Sequence, residues 1–271
     1  MSKVLRGRPE ATTLFNPLIT EYLKAGKLSA AEQAARASLG MTPDQTSVLA
    51  SLGLIYERQG RFDDALLTYR HLLKLKPHDL EAELGEARAL LGNRAYDDAA
   101  LQFERLMARS PERLDIVYGL IEVSLAREDL ARASVLLRDA ITRAPDSSLM
   151  QLAQAELYLK QGRPEQTITV LNMMSPAPDE VNRHVELYAR ASIAAGQPAQ
   201  ALPPLEARLQ LHPELELFKQ LRCTAMLRAG YQSRWEAECR GISTLEEFDQ
   251  VRDENKRSPA PRNRKNSAPR R

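Results

Sequence analysis

The chain has 271 residues, of which 5% are aromatic and 27% charged, and its formal net charge is only +2. It contains no run of about 18 apolar residues, so the sequence predicts no membrane-spanning helix. The first residues, 1–15, are basic but lack the apolar stretch of a signal peptide. We therefore expect a cytoplasmic protein.

A glycine recurs along the chain on a grid of 34 residues, from residue 26 to residue 230. Two of the seven grid nodes are Arg94 and Glu128. The other five are glycines: Gly26, Gly60, Gly162, Gly196 and Gly230. A small residue stands five positions after most nodes. Prolines recur at the same interval of 34 residues, in a second grid. Repeats of this length indicate a solenoid, because each unit is too small to bury its own apolar face and must stack on its neighbours.

One repeat, residues 46–79, shows the pattern most clearly. Apolar residues recur at helical spacing before Gly60 and again after it, which predicts two amphipathic helices. Glycine at the end of the first helix permits the left-handed backbone that ends many helices, and Pro77 stops the second helix. The repeat is therefore predicted to be a helical hairpin.

Residues 46–79 resemble the tetratricopeptide repeat. The signature positions are occupied in order by Leu49, Leu52, Gly53, Tyr56, Gly60, Phe62, Ala65, Tyr69 and Pro77. The resemblance implies an all-α fold, a right-handed superhelical α-solenoid of about seven hairpins. It covers residues 12–249, with repeats starting at residues 12, 46, 80, 114, 148, 182 and 216 after an N-terminal extension of residues 1–11. Repeat 7 carries Lys219, Arg222 and Trp235 at usually apolar or small positions, which predicts a capping unit.

The resemblance also implies a binding surface. In this family the first helices line the concave face, and their second, fifth, ninth, twelfth and thirteenth positions usually contact a ligand. In the central repeats these positions give the predicted groove residues Leu84, Arg88, Leu91, Tyr118, Glu122, Leu125, Leu152, Glu156, Leu159, Arg190 and Ile193. Two apolar rows beside a charged row would suit an amphipathic helix or an extended apolar segment of a protein partner. The alternative is that the leucines only fill the interfaces between repeats.

The C-terminal residues, 250–271, form a different kind of segment. Seven basic residues and no acidic residue lie in residues 256–271: Lys256, Arg257, Arg262, Arg264, Lys265, Arg270 and Arg271. The rest of the chain consequently carries 31 basic and 36 acidic residues. With three prolines and no large apolar residue, this tail is predicted to be disordered. It could bind nucleic acid, an anionic membrane or an acidic protein, or it could serve only solubility.

The sequence contains few candidates for catalytic, metal-binding or redox-active residues. Cys223 and Cys239 are the only cysteines, and we predict small buried thiols rather than a disulfide. None of the four histidines forms an HExxH pair or a zinc-ligand spacing, and phosphate-binding loops and nucleophile elbows do not occur. We therefore predict no catalytic residue, no metal site and no cofactor.

Three functional hypotheses follow from these features. The first is a non-enzymatic adaptor or scaffold that binds protein partners, in the style of bacterial repeat proteins that assist assembly, secretion or pilus biogenesis. The second is a factor that attaches to nucleic acid or to an anionic membrane through the basic tail, while the solenoid recruits cargo. The third is an enzyme or an enzyme subunit.

Overall fold

The computed structural model describes residues 9–242, with side chains from Phe15 onward. These residues form fourteen α-helices, one 3-10 turn and no strand, which confirms the prediction of an all-α fold built from helical hairpins. The helices of residues 9–109 are α1 (Pro9–Lys24), α2 (Leu28–Met41), α3 (Thr46–Arg58), α4 (Phe62–Leu75), α5 (Leu80–Gly92) and α6 (Tyr96–Arg109). Those that follow are α7 (Leu114–Ala126), α8 (Leu130–Arg143), α9 (Ser148–Lys160), α10 (Pro164–Met173), α11 (Val181–Ala194), α12 (Leu202–Leu211), α13 (Glu216–Arg228) and α14 (Gln232–Glu238).

Odd-numbered helices are the first helices of the hairpins. Five of them begin at the residues where the 34-residue period places the start of a repeat, namely 46, 80, 114, 148 and 216. The other two begin slightly earlier, at Pro9 and Val181. None of the helices between residues 9 and 242 combines the length and the apolar character that a bilayer crossing needs.

Every node of the glycine grid has a left-handed backbone. The five glycines have φ between 68° and 78°, and the two exceptions adopt the same conformation, with φ of 60° at Arg94 and 62° at Glu128. At each node the chain turns from the first helix of a hairpin into the second. The turn therefore fixes the conformation at these two nodes even though their side chains disfavour it.

Residues 9–153 form one compact unit. Its core consists of the facing stripes of consecutive helices, and the buried ring of Tyr69 on α4 lies against both α3 and α5. Gly53 on α3 and Gly85 on α5 leave room for that ring. In the next hairpin Gly119 leaves room for the ring of Phe103 in the same way. Glycines on first helices thus let an aromatic ring from a second helix reach the core.

Residues 154–242 form a second unit. Its core gathers Leu205, Phe218, Leu221 and Met226, all buried, around α11, α12 and α13. The second helix of this unit's middle hairpin starts as a 3-10 turn, Pro198–Ala201, before α12 begins. Prolines in this stretch remove the backbone donors that a regular helix would use.

The prediction of two separate buried thiols is wrong. Cys223 on α13 and Cys239 at the C-terminal end of α14 form a disulfide, with their Cα atoms 5.7 Å apart and both residues fully buried. Because disulfides are rare in reducing compartments, this bond does not support the expected cytoplasmic location, which stays a prediction.

Candidate partner-binding surface

In the first unit, α1, α3, α5 and α7 contact one another in order, each touching the next first helix. First helices therefore form a continuous layer in residues 9–126, as a groove lining requires. The residues predicted to contact a ligand are all on such helices, but they differ widely in exposure.

Three predicted groove leucines are buried. Leu84, Leu125 and Leu152 are each only 1% exposed, so they offer no side-chain surface to a ligand. Leu84, for example, belongs to the core cluster that also holds Phe103 and Leu120. At these three positions the alternative interpretation, that the leucines fill the interior, describes the structure.

The other predicted groove residues are half-buried and accordingly reach the surface. They are Arg88, Leu91, Tyr118, Glu122, Glu156, Leu159, Arg190 and Ile193. The exposed part of the layer is thus more polar than the sequence pattern indicated, with leucine or isoleucine at only three of the eight positions.

A hydrogen-bonded cluster joins three first-unit side chains. Arg88 on α5 donates to both carboxylate oxygens of Glu57 on α3, at 2.8 Å and 3.3 Å. The Tyr69 hydroxyl donates to the same carboxylate from α4. Burial raises the pKa of Tyr69 far above its usual value, and the negative charge of Glu57 raises it further. Burial by itself would lower the pKa of Arg88, but its hydrogen bonds to Glu57 and the charge of that carboxylate raise it.

This cluster ties α3, α4 and α5 together and neutralises the charge of Glu57. The repeat positions indicated Arg88 as a ligand contact, but they did not indicate that Glu57 and Tyr69 would hold it. On the neighbouring first helix, the Tyr118 hydroxyl donates to Glu122 at 2.9 Å. The charged groove residues of the first unit, Arg88 and Glu122, therefore bond to other side chains of the protein, which favours a structural role for them.

A cleft opens between α9 and α11 in the second unit. Its volume is about 410 Å³, within the range of sites that hold small ligands or a few side chains. Seven residues line it: Glu156, Leu159, Lys160, Arg183, Glu186, Leu187 and Arg190. Three of these, Glu156, Leu159 and Arg190, are predicted groove residues that the structure brings to one place.

Ion pairs run across the walls of this cleft. Arg183 on α11 pairs with Glu156 on α9, and Arg190 pairs with Glu186 one turn away, at 2.9 Å. Lys160, at the C-terminal end of α9, is exposed and has no ion pair within the described residues. Three cations and two carboxylates around two leucines give the cleft a mixed, slightly positive character.

Two family models of the tetratricopeptide repeat match the sequence, one over residues 17–79 and one over residues 90–157. The chain is a tetratricopeptide repeat protein.

Solved structures show the same fold. A thermophilic TPR protein of Thermus thermophilus is similar with a TM-score of 0.61 at 23% identity, covering 67% of this chain and 99% of that one. Pseudomonas aeruginosa pilF gives 0.52 at 18% identity, covering 80% and 98%. PilW, described as a widely conserved type IV pilus biogenesis factor, gives 0.56 at 18% identity, covering 78% and 98%. Likeness at these identities concerns the fold alone, and a comparison with curated proteins gives no match.

Tetratricopeptide repeats are in general protein-interaction modules, which makes the cleft between two first helices the natural candidate for a contact site. Arg183 and Lys160 stand at the second and thirteenth positions of their repeats, so applying those positions to repeats 5 and 6 would have found them. Leu187 stands at no usual contact position, and only the packing of α11 against α9 reveals it.

Two further predictions concern metal binding and the basic tail. Within residues 9–242 no group of three or more His, Cys, Asp or Glu side chains is placed to hold a metal ion. The basic tail residues, from Lys256 to Arg271, lie outside the described residues, and their binding role stays a prediction.

Proposed function

We propose that this tetratricopeptide repeat protein is a non-enzymatic scaffold that holds a peptide or helix of a partner protein against its first helices. The proposal rests on one observation, the cleft between α9 and α11. It combines two leucines with five charged side chains on the helices that carry ligand contacts in this family. A scaffold needs such a mixed surface, because apolar contacts supply affinity while charges set the register of the bound segment.

The lining of the cleft indicates the chemistry of the bound segment. Leu159 is half-buried and offers an apolar contact beside Lys160. Lys160 would attract a carboxylate, and Arg190 could exchange its intrahelical partner Glu186 for one. We infer a partner segment that places an acidic residue next to a large apolar residue.

A library of random peptides tests this inference directly. Peptides selected on the full chain should combine an acidic residue with a large apolar one, and their affinity can be measured by fluorescence anisotropy. The paired change Leu159→Glu with Lys160→Glu should weaken binding by roughly a hundredfold, since both the apolar contact and the attraction are lost.

A matched control is the paired change Leu67→Glu with Lys74→Glu, which alters the charge by the same amount at two exposed residues of the second helix α4, Leu67 being 67% exposed. Binding to this variant should equal that of the unchanged protein. Equal binding by the cleft variant and the control would place the site elsewhere and contradict the proposal.

A narrower role in pilus or secretion assembly is also proposed. What supports it is the likeness in fold to pilF and PilW. Deleting the gene from its host and counting surface pili and secreted proteins would test this role, with unchanged pili and secretion contradicting it.

A second function rests on the basic tail, which concentrates seven of the 38 basic residues in its last sixteen positions. We propose that the tail attaches the protein to nucleic acid or to an anionic membrane. Affinity for duplex DNA should then fall with salt at a slope of about −0.9 per phosphate contacted, and binding to vesicles of anionic lipid should fall likewise. Deletion of residues 256–271 should abolish both, and affinity that survives the deletion contradicts this function.

A further inference from the structure

The last second helix, α14, lacks the contact that attaches every earlier second helix. In the six preceding hairpins a small, fully buried residue stands at the same repeat position: Ala31, Ala65, Ala99, Ala133, Thr167 and Ala201. In the last hairpin the position holds Trp235, which is only half-buried. An indole ring is too large for the close helix-to-helix approach that alanine permits, so α14 must be held against α13 by other means.

Few other contacts hold α14. It has seven residues, and none of them is fully buried. A helix this short is unstable without tertiary support. Moreover, the indole nitrogen of Trp235 and Nε of Arg222 are buried without a hydrogen-bond partner in the described part of the chain, which weakens the α13–α14 interface.

Ion pairs contribute little to the attachment. Arg234 pairs with Glu206 on α12 at 2.6 Å, and Arg222 on α13 pairs with Glu238 at 3.5 Å. These side chains are partly exposed, and ion pairs of this kind are weak in water.

The disulfide supplies the missing attachment. Cys239 directly follows α14, and its sulfur is bonded to Cys223 and lies 3.9 Å from the sulfur of Met226, inside the core of the second unit. Cys223, Met226 and Cys239 are all fully buried. The bond closes a loop with a sequence separation of 16 residues that contains the whole of α14, so cutting it removes the constraint that keeps this helix near α13.

We propose that the Cys223–Cys239 disulfide is a redox latch on α14. In an oxidising environment the latch is closed and α14 covers the end of the core. Because both cysteines are fully buried, a dithiol reductant reaches the bond when the weakly attached α14 moves away from α13. The sulfur–sulfur bond then breaks, each cysteine gains one electron and one proton, and the dithiol becomes a disulfide. Without the bond, α14 leaves α13 and uncovers the apolar surface around Met226. A cytoplasmic copy of the protein would carry the open form, and an exported copy the closed form.

Trp235 gives this proposal a direct readout, because it is the only tryptophan in the chain and lies on α14. The full-length protein is compared in its oxidised form, after reduction with dithiothreitol, and as the double variant Cys223→Ser with Cys239→Ser. Reduction and the double variant should both shift the Trp235 emission to longer wavelength. Amide hydrogen exchange in residues 232–239 should accelerate by roughly a hundredfold, the size expected for loss of a loop constraint of this length.

Hydrogen exchange in α7, which lies in the other compact unit, is the internal control and should not change. Alkylation of free thiols followed by mass measurement shows which form is present in each sample. Unchanged emission and unchanged exchange of residues 232–239 after complete reduction would overturn the proposal. So would a disulfide that dithiothreitol reduces only when the whole chain unfolds, because the bond would then be a permanent structural element.

Discussion

The ring of Tyr69 on α4 lies against the backbone of Gly85 on α5, so closely that a Cβ atom at residue 85 would stand 2.4 Å from Cζ of the ring. A Cβ atom at Gly53 would meet the same ring at 2.6 Å. The ring is therefore enclosed between two successive first helices. Because Tyr69 is buried in the core, a movement of its ring would displace the residues packed around it.

Gly85→Ala should consequently destabilise the protein by about 1–3 kcal/mol, the usual cost of inserting a methyl group into a filled core. The free energy of unfolding can be measured by urea denaturation. If the ring is the cause, the same change in a Tyr69→Leu background should cost much less. Equal costs in the two backgrounds would contradict the close contact with Tyr69.

Arg94→Gly and Glu128→Gly should each stabilise the protein. Both residues have positive φ, a conformation that costs non-glycine residues about 1–2 kcal/mol, and glycine removes this cost. The greater conformational freedom of glycine stabilises the unfolded chain, which offsets part of the gain in stability. A net gain of about 0.5–1 kcal/mol is expected in thermal or urea unfolding. Ala95→Gly, at a neighbour with φ of −79°, is the control and should not stabilise.

Tyr69 should resist ionisation. Burial raises its pKa and the nearby Glu57 carboxylate raises it further, whereas the unfolded chain titrates near the ordinary value of about 10. The stabilisation from the neutral hydroxyl is thus complete below about pH 10 and is lost as the pH rises further. In an absorbance titration of the folded protein, the early step is the ionisation of tyrosines near about pH 10. Tyr69→Phe should leave the size of this step unchanged, because Tyr69 is still protonated there. A smaller early step in this variant would show that Tyr69 titrates normally.

Asp79 should contribute to acid stability. It begins α5, where its carboxylate accepts from the Ala82 backbone N–H at 3.1 Å. The hydrogen bond from Lys76 lowers its pKa most, and the bond from Ala82 adds to this. Because the folded pKa is depressed, the stabilisation is present above about pH 4 and is lost as the pH falls through the folded value.

Two variants separate the roles of Asp79. Asp79→Ala should cost about 1 kcal/mol at neutral pH because the helix loses its cap. Asp79→Asn keeps a capping side chain, so it should retain most of that stability but lose the dependence on acid. Urea denaturation at neutral and acid pH measures both effects. Identical losses in both variants would contradict the capping role.

The sequence anticipated the helices well, since hairpin boundaries depend on local signals. The grid glycines mark left-handed turns, and the apolar stripes mark faces that cannot stay in water. The solvent exposure of individual side chains was harder to predict from the repeat pattern, as the twelfth repeat position shows. Leu125 and Leu159 are both the twelfth residue of a repeat, but Leu125 is in the core and Leu159 lines a cleft. The packing of neighbouring helices decides between the two.

The sequence by itself determined that this chain is a series of helical hairpins, because a 34-residue period of apolar stripes, small residues and turn glycines allows little else. Only the tertiary structure decided which groove residues reach the surface, that Glu57 is held by Tyr69 and Arg88, and that Cys223 is bonded to Cys239. Each of these depends on distances between side chains on different helices. A repeat period specifies the order of the helices along the chain, but it does not specify those distances.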